Sequence, residues 1–120
     1  MSRTVLIVDD HATFRSRCRQ MLEAAGYRVV GESEDAKGAL TDARRLRPEI
    51  VLLDVQLPDG NGFDVADDLA ADTEGPAVVM ISSRRASEYR GRLRRSPACG
   101  FIAKDDLSGS ALAGLLGERG

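Results

Sequence analysis

The chain has 120 residues, enough for one domain with a real core, and its 42% hydrophobic and 30% charged residues suit a globular protein. A net charge of −2 supplies no global basic field of the kind nucleic-acid binders carry. No apolar run approaches the roughly 20 residues of a membrane span and no signal-peptide pattern opens the chain, so a cytoplasmic protein is expected.

Thr4 to Val8 is an apolar run of strand length that ends in Asp9 and Asp10. A first helix is expected from His11 or Ala12, with the Asp10 carboxylate near its N-terminus, where it could cap amide groups. Phe14, Cys18, Met21, Leu22 and Ala25 recur at helical spacing as its apolar stripe, and Gly26 is its stop. Tyr27 to Gly31 is a β-branched run, strand two. Ala36, Ala39, Leu40 and Ala43 mark helix two, which ends before Pro48.

Ile50-Val51-Leu52-Leu53 then runs into Asp54, with Pro58 and Gly60 breaking the chain just beyond. A short, continuous apolar run bounded by turn residues reads as a strand buried on both faces of a parallel sheet. Asp54 therefore belongs at its carboxyl end, where open α/β sheets place their ligand sites. The segment from Gln56 to Asn61 reads as a kinked loop. Val65, Ala66, Leu69 and Ala70 give helix three, and Ala77 to Ile81 gives strand four, ending in Ser82 and Ser83.

From Arg84 to Arg95 there are six arginines, one glutamate and only Ala86, Tyr89 and Leu93 at helical spacing, so helix four is weakly anchored. Its charge reads either as a solvated face or as a lure for an acidic partner surface. Gly100 to Ala103 is strand five, followed by Lys104. Ser108 is the expected N-cap of a last helix that carries Leu112, Leu115 and Leu116. Residues 117–120 read as a frayed end or the start of a linker. Cys18 and Cys99 match no zinc or CxxC spacing and are expected to be buried small hydrophobes.

Five βα units in this order predict a doubly wound α/β fold with helices on both faces of a parallel sheet. Its carboxyl edge would receive Asp9, Asp10, Asp54, Ser82 and Lys104. Crowded carboxylates repel one another, and a hard divalent cation such as Mg²⁺ relieves that repulsion with few direct protein ligands. With a lysine aimed at the same place, such a site suits an anion, and a phosphoryl group attacked by a carboxylate fits. His11 lacks a partner at ligand spacing and reads as a helix-start residue. Asp59-Gly60-Asn61-Gly62 lacks the later glutamate of a calcium loop and reads as a turn.

These residues, in this order over essentially the whole chain, resemble the receiver domain of two-component response regulators. Val8-Asp9-Asp10-His11 with Phe14-Arg15 is most similar to receivers of the LuxR/NarL class. The resemblance implies the flavodoxin-like (βα)5 fold with strand order 2-1-3-4-5, and one receiver domain over residues 1–120 with no output domain inside it. It implies Asp54 as phosphoacceptor from a sensor histidine kinase. Mg²⁺ would be held by Asp9, Asp10, Asp54 and the Gln56 main-chain carbonyl. Ser82 and Lys104 would bind the phosphoryl group, Phe101 would be the aromatic switch, and Gln56 and Arg84 would tune the phosphate's lifetime. The output would be a DNA-binding transcription regulator outside this chain, acting through the helix 4–strand 5–helix 5 face, with a second copy of the chain as a further partner.

Three departures stand out: Ser82 where many members have Thr, Phe101 for the commoner Tyr, and Asp105 for the Pro that often follows the lysine. Without that Pro no cis peptide is expected there. An aspartate-based phosphohydrolase needs a second carboxylate two residues after its nucleophile, and Gln56 cannot shuttle a proton, so an enzyme is not expected. No GxGxxG or Walker pattern supports a nucleotide module. The alternative is a stand-alone or phosphorylation-independent receiver that acts by protein–protein contact.

Overall fold

Apolar strands that hide both faces need helices on both sides, and that is the arrangement of the computed structural model, which describes residues 3–72 and 74–117. Five strands, β1 (Thr4–Val8), β2 (Arg28–Ser33), β3 (Ile50–Asp54), β4 (Ala77–Ser82) and β5 (Gly100–Ala103), form one sheet. Their order is β2-β1-β3-β4-β5, and every neighbouring pair is parallel. This is the doubly wound order expected from the sequence. It sets β3 at the centre, with all five of its residues buried.

Because strand side chains alternate, β1 and β3 feed two separate cores. Leu6, Val8, Val51 and Leu53 face one layer with Ala39 and Ala43 of α2 (Ala36–Leu46) and Phe63, Val65 and Leu69 of α3 (Gly62–Ala70). Val5, Ile7, Ile50 and Leu52 face the other, with Cys18 and Leu22 of α1 (Ala12–Ala24) and Leu112 of α5 (Gly109–Leu116). Burial of such side chains, at about 25 cal/mol per Å² of apolar surface, holds both layers to the sheet.

The helix ends follow the polar residues nearby, with one correction. Ser108 caps α5 by accepting from the Ala111 amide at 3.0 Å, as expected. Asp10 does not cap α1. The N-cap is His11, whose side chain makes no capping bond, and the carboxylate that takes up a local amide is Asp9 Oδ1, which accepts from His11 N at 2.8 Å. Asp9 wins because its side chain turns inward from the strand end, whereas Asp10 is exposed.

Four further differences are local. Strand two starts at Arg28 and runs on to Ser33, leaving Tyr27 as a buried residue before it. The loop after β3 is a small hairpin, Gln56–Leu57 pairing antiparallel with Gly60–Asn61 around Pro58 and Asp59. Helix four is split: a 3-10 turn over Ala86–Tyr89 leads into a six-residue α4 (Arg90–Arg95) that buries no residue. The cause is the sparse apolar stripe, too narrow to hold a regular helix against the sheet. Cys18 is buried but Cys99 is exposed, because it precedes the edge strand β5 instead of joining it. The peptide bonds of the described residues are all trans. The tail at 118–120 lies outside the described residues.

Candidate functional site

The central strand delivers Asp54 at its last position, buried to 5% exposure. Two features hold the backbone around it. Gly62 N donates to the Val55 carbonyl at 2.8 Å, and a side chain at Gly62 would collide with the Asp54 carbonyl oxygen and approach Met80 Cε to 2.9 Å. Only glycine lets α3 start this close to the strand end. Asn61 then caps α3 by accepting from Phe63 N at 2.7 Å, and Asp59 reaches across the hairpin to α2. Its two carboxylate oxygens accept from the Ala36 and Lys37 amides at 2.7 and 3.1 Å. Those amides hold the Asp59 carboxyl below the usual carboxylate range. The segment Pro58 to Gly62 is thus a brace that joins two helix N-termini to the strand carrying Asp54.

Asp54 Oδ1 accepts from Gln56 N at 3.3 Å, and Oδ2 faces Lys104 Nζ at 3.3 Å. The same ammonium pairs with Asp9 Oδ2 and lies 4.6 Å from the centre of the Phe14 ring. Asp9 is fully buried at the end of β1, and Arg15 grips its carbonyl oxygen at 2.6 Å while pairing with Glu32, which also binds Arg19. Asp10 is exposed. Its Oδ1 lies 3.1 Å from His11 Nδ1, which is equally far from Asp9 Oδ1.

Burial is the main influence on Asp54 and pushes its carboxyl up to about 6; Lys104 pulls it down and Asp9 pushes it further up. Burial also works against the Lys104 ammonium, but the Asp9 and Asp54 carboxylates outweigh it and hold its pKa above the usual lysine range. Among the described residues, the site is therefore a carboxylate cluster into which Lys104 brings an ammonium. Asp9, Asp10, His11 and Asp54 each offer a ligand atom, all within 4.8 Å of one another. Three hard carboxylates at that spacing, one of them strongly desolvated, fit a small divalent cation.

Other expected residues gather less tightly. Ser82 ends β4 one residue beyond the partner of Asp54, is buried, and accepts from Arg84 N at 3.0 Å through its hydroxyl. Its Oγ also lies 3.4 Å from the Tyr89 hydroxyl. Phe101 is half-buried against the Tyr89 ring at 6.0 Å. Gln56 and Arg84 are both exposed, and the Arg84 guanidinium pairs with Glu88 at 3.7 Å. Phe14 and Tyr89 were not expected at the site, and His11, expected beside it as a helix-start residue, stands against two of its carboxylates. The helical period assigned Phe14 and Tyr89 to core stripes, and nothing in the spacing showed that the loop after β1 would fold His11 back onto two carboxylates.

Residues 5–110 match the model of the response regulator receiver domain family. Among curated proteins the chain is 35% identical over 102 residues to the transcriptional regulatory protein PdtaR of Mycobacterium tuberculosis, covering 85% of this chain and 49% of that protein. It is 33% identical over 101 residues to the response regulator GacA of Pseudomonas protegens, covering 83% and 47%. The chain thus spans about half the length of these relatives. Among solved structures it superimposes on a two-component response regulator of the LuxR family from Aurantimonas with a TM-score of 0.85 and 25% identity, covering 99% and 89% of the two chains. The signal receiver domain of the response regulator NarL from Mycobacterium tuberculosis gives a TM-score of 0.81 at 28% identity, covering 98% of each.

Proposed function

From the premise that the chain belongs to the response regulator receiver domain family, we propose that it is a phosphorylation-controlled switch whose phosphoacceptor is Asp54. The observation that carries this reading is a buried carboxylate at the end of the central strand with Lys104 Nζ 3.3 Å from one oxygen and the same ammonium paired with Asp9. An Asp54 oxygen attacks the phosphorus of a sensor kinase's phosphohistidine. The P–N bond breaks, the imidazole leaves with the electron pair, and an acyl phosphate remains on Asp54. Lys104 neutralises charge on the phosphoryl oxygens, and the short Asp9 contact keeps it on station. Asp9, Asp10, Asp54 and the Gln56 main-chain carbonyl would hold Mg²⁺, whose chemistry when bound is to offset the crowded carboxylates and the phosphoryl charge. Ser82 turns its hydroxyl to the phosphoryl group, Phe101 repacks, and Gln56 and Arg84, exposed at the mouth, govern how readily water reaches the acyl phosphate. The chain acts on itself and on partners, not on a metabolite.

The output is a transcription regulator's DNA-binding part outside these residues. The name of the PdtaR relative, a transcriptional regulatory protein, and the chain's half share of its length support this. The test is intact mass after incubation with Mg²⁺ and a small acyl phosphate. Wild type is expected to gain one phosphoryl group and Asp54→Asn none. Equal gain by both would remove Asp54 from the role, and no gain by either would favour a receiver that works by contact alone.

A further inference from the structure

Ser82 is buried and has two neighbours in hydrogen-bonding reach: the Arg84 amide at 3.0 Å and the Tyr89 hydroxyl at 3.4 Å. Phe101, the aromatic residue of the adjacent strand, has no hydroxyl to offer. The Tyr89 ring lies between two other rings, 5.8 Å from Phe63 of α3 and 6.0 Å from Phe101 of β5, both tilted and both within the usual range for aromatic pairs. Tyr89 also closes the 3-10 turn and caps α4, a helix with no buried residue of its own. Tyr89 therefore touches the hydroxyl at the candidate site with its side chain and begins the arginine-rich helix with its backbone.

From this junction we infer that Tyr89 is the positioning residue of Ser82, holding its hydroxyl in the unphosphorylated arrangement and passing its displacement to α4. The inference rests on the phosphoacceptor reading above and adds the route by which the signal leaves the site. A 3.4 Å O–H···O contact is long, so it is a weak hold. That suits a switch, since a ligand moves a two-state element only by its differential affinity, and a strong latch would oppose the phosphoryl group. When Ser82 turns to the phosphoryl oxygens, the Tyr89 hydroxyl loses its partner. The ring is then free to shift between Phe63 and Phe101, and α4 moves with it. The aromatic contacts make the coupling mechanical, and the hydroxyl makes it conditional on Ser82.

Tyr89→Phe removes the hydroxyl and keeps the ring. With Mg²⁺ and a small acyl phosphate, its rate of phosphoryl gain by intact mass is expected to rise about two- to tenfold, the range set by losing one neutral hydrogen bond. Tyr27→Phe, in the opposite layer, should match wild type. The chain has two tyrosines and no tryptophan, so in a Tyr27→Phe background the tyrosine emission reports Tyr89 alone and should change on phosphorylation. A wild-type rate in Tyr89→Phe together with unchanged emission would overturn the proposal. A second measurement needs no phosphate: a urea-unfolding cycle of Ser82→Ala, Tyr89→Phe and the double variant. A double variant less destabilised than the two singles together supports the contact, and strict additivity overturns it. If wild type gains no phosphoryl group, the phosphoacceptor reading fails, while the cycle still decides whether Tyr89 holds Ser82.

Discussion

Asp54 is a carboxyl buried at the end of the central strand, and the cost of its charge there has a sign that can be measured. Its carboxyl stands at about 6 in the fold against 3.8 in an open chain. Between pH 4 and 6 the folded state thus binds more protons than the unfolded one, so stability falls as pH rises through this window and stays lowered above it. Two units correspond to about 3 kcal/mol. Urea unfolding without divalent ions should show wild type losing stability from pH 4 to pH 6, while Asp54→Asn lacks that loss and is the more stable at pH 7. A slope identical in the two proteins would sink the assignment. Adding Mg²⁺ at pH 7 should recover stability in wild type and much less in Asp54→Asn, as expected for an ion that binds only the folded state. Asp9, Asp54 and Lys104 were legible in the sequence because strand ends announce themselves: an apolar run stops on a charge. Phe14 and Tyr89 were not, because their places come from tertiary packing onto residues of other elements, which periodicity cannot encode.

The brace from Pro58 to Gly62 shows how a loop of turn residues becomes part of a site. As sequence it was only a kinked connection. In the fold, Asp59 ties down the α2 N-terminus and Asn61 starts α3. Gly62 lets α3 begin against the Asp54 carbonyl, which allows a direct comparison of two neighbouring glycines. Gly62→Ala must displace backbone or the Met80 side chain and should cost about 1–3 kcal/mol, the usual penalty of overpacking. Gly60→Ala meets only Ala36 Cβ at 3.6 Å, an ordinary contact, and should unfold near the wild-type urea midpoint. If the two variants shift the midpoint equally, close packing at Gly62 is not what holds the Asp54 turn. The strands, four of the helices and the caps at Ser108 and Gly26 could be read from apolar spacing and end residues. Helix four was legible only as weak. Its division into a 3-10 turn and a short α-helix depends on where Tyr89 lodges, between rings contributed by α3 and β5.

Across the whole molecule the anchoring is uneven, and the unevenness has a direction. β1 and β3 sit at the centre with both faces covered, and no residue of β3 is even half exposed. The far edge is β5, flanked by α4, whose arginines face solvent and whose hold on the core comes through the half-buried Tyr89 and Leu93. Local opening draws on the least buried parts of a structure, so amides over 86–95 should exchange first and those of β1 and β3 only near global unfolding. On the proposed reading, phosphorylation at Asp54 would add charge beside Lys104 and give Ser82 a new partner, both of which lie toward that same loose edge. Hydrogen exchange on protein with and without an acyl-phosphate donor should therefore change over 82–104 while 4–8 and 50–53 stay as they were. Were the change instead centred on α1 or α2, the signal would have to leave by the opposite edge of the sheet, at β2. The well-anchored layers would then be the ones that move. The energetics argue against that outcome: shifting α3 or α1 uncovers side chains such as Phe63 or Leu22 that are themselves almost wholly buried, whereas none of α4's own residues is buried. A switch built on this sheet would move where movement costs least, and in this chain that place exposes Arg90, Arg94 and Arg95 to a partner.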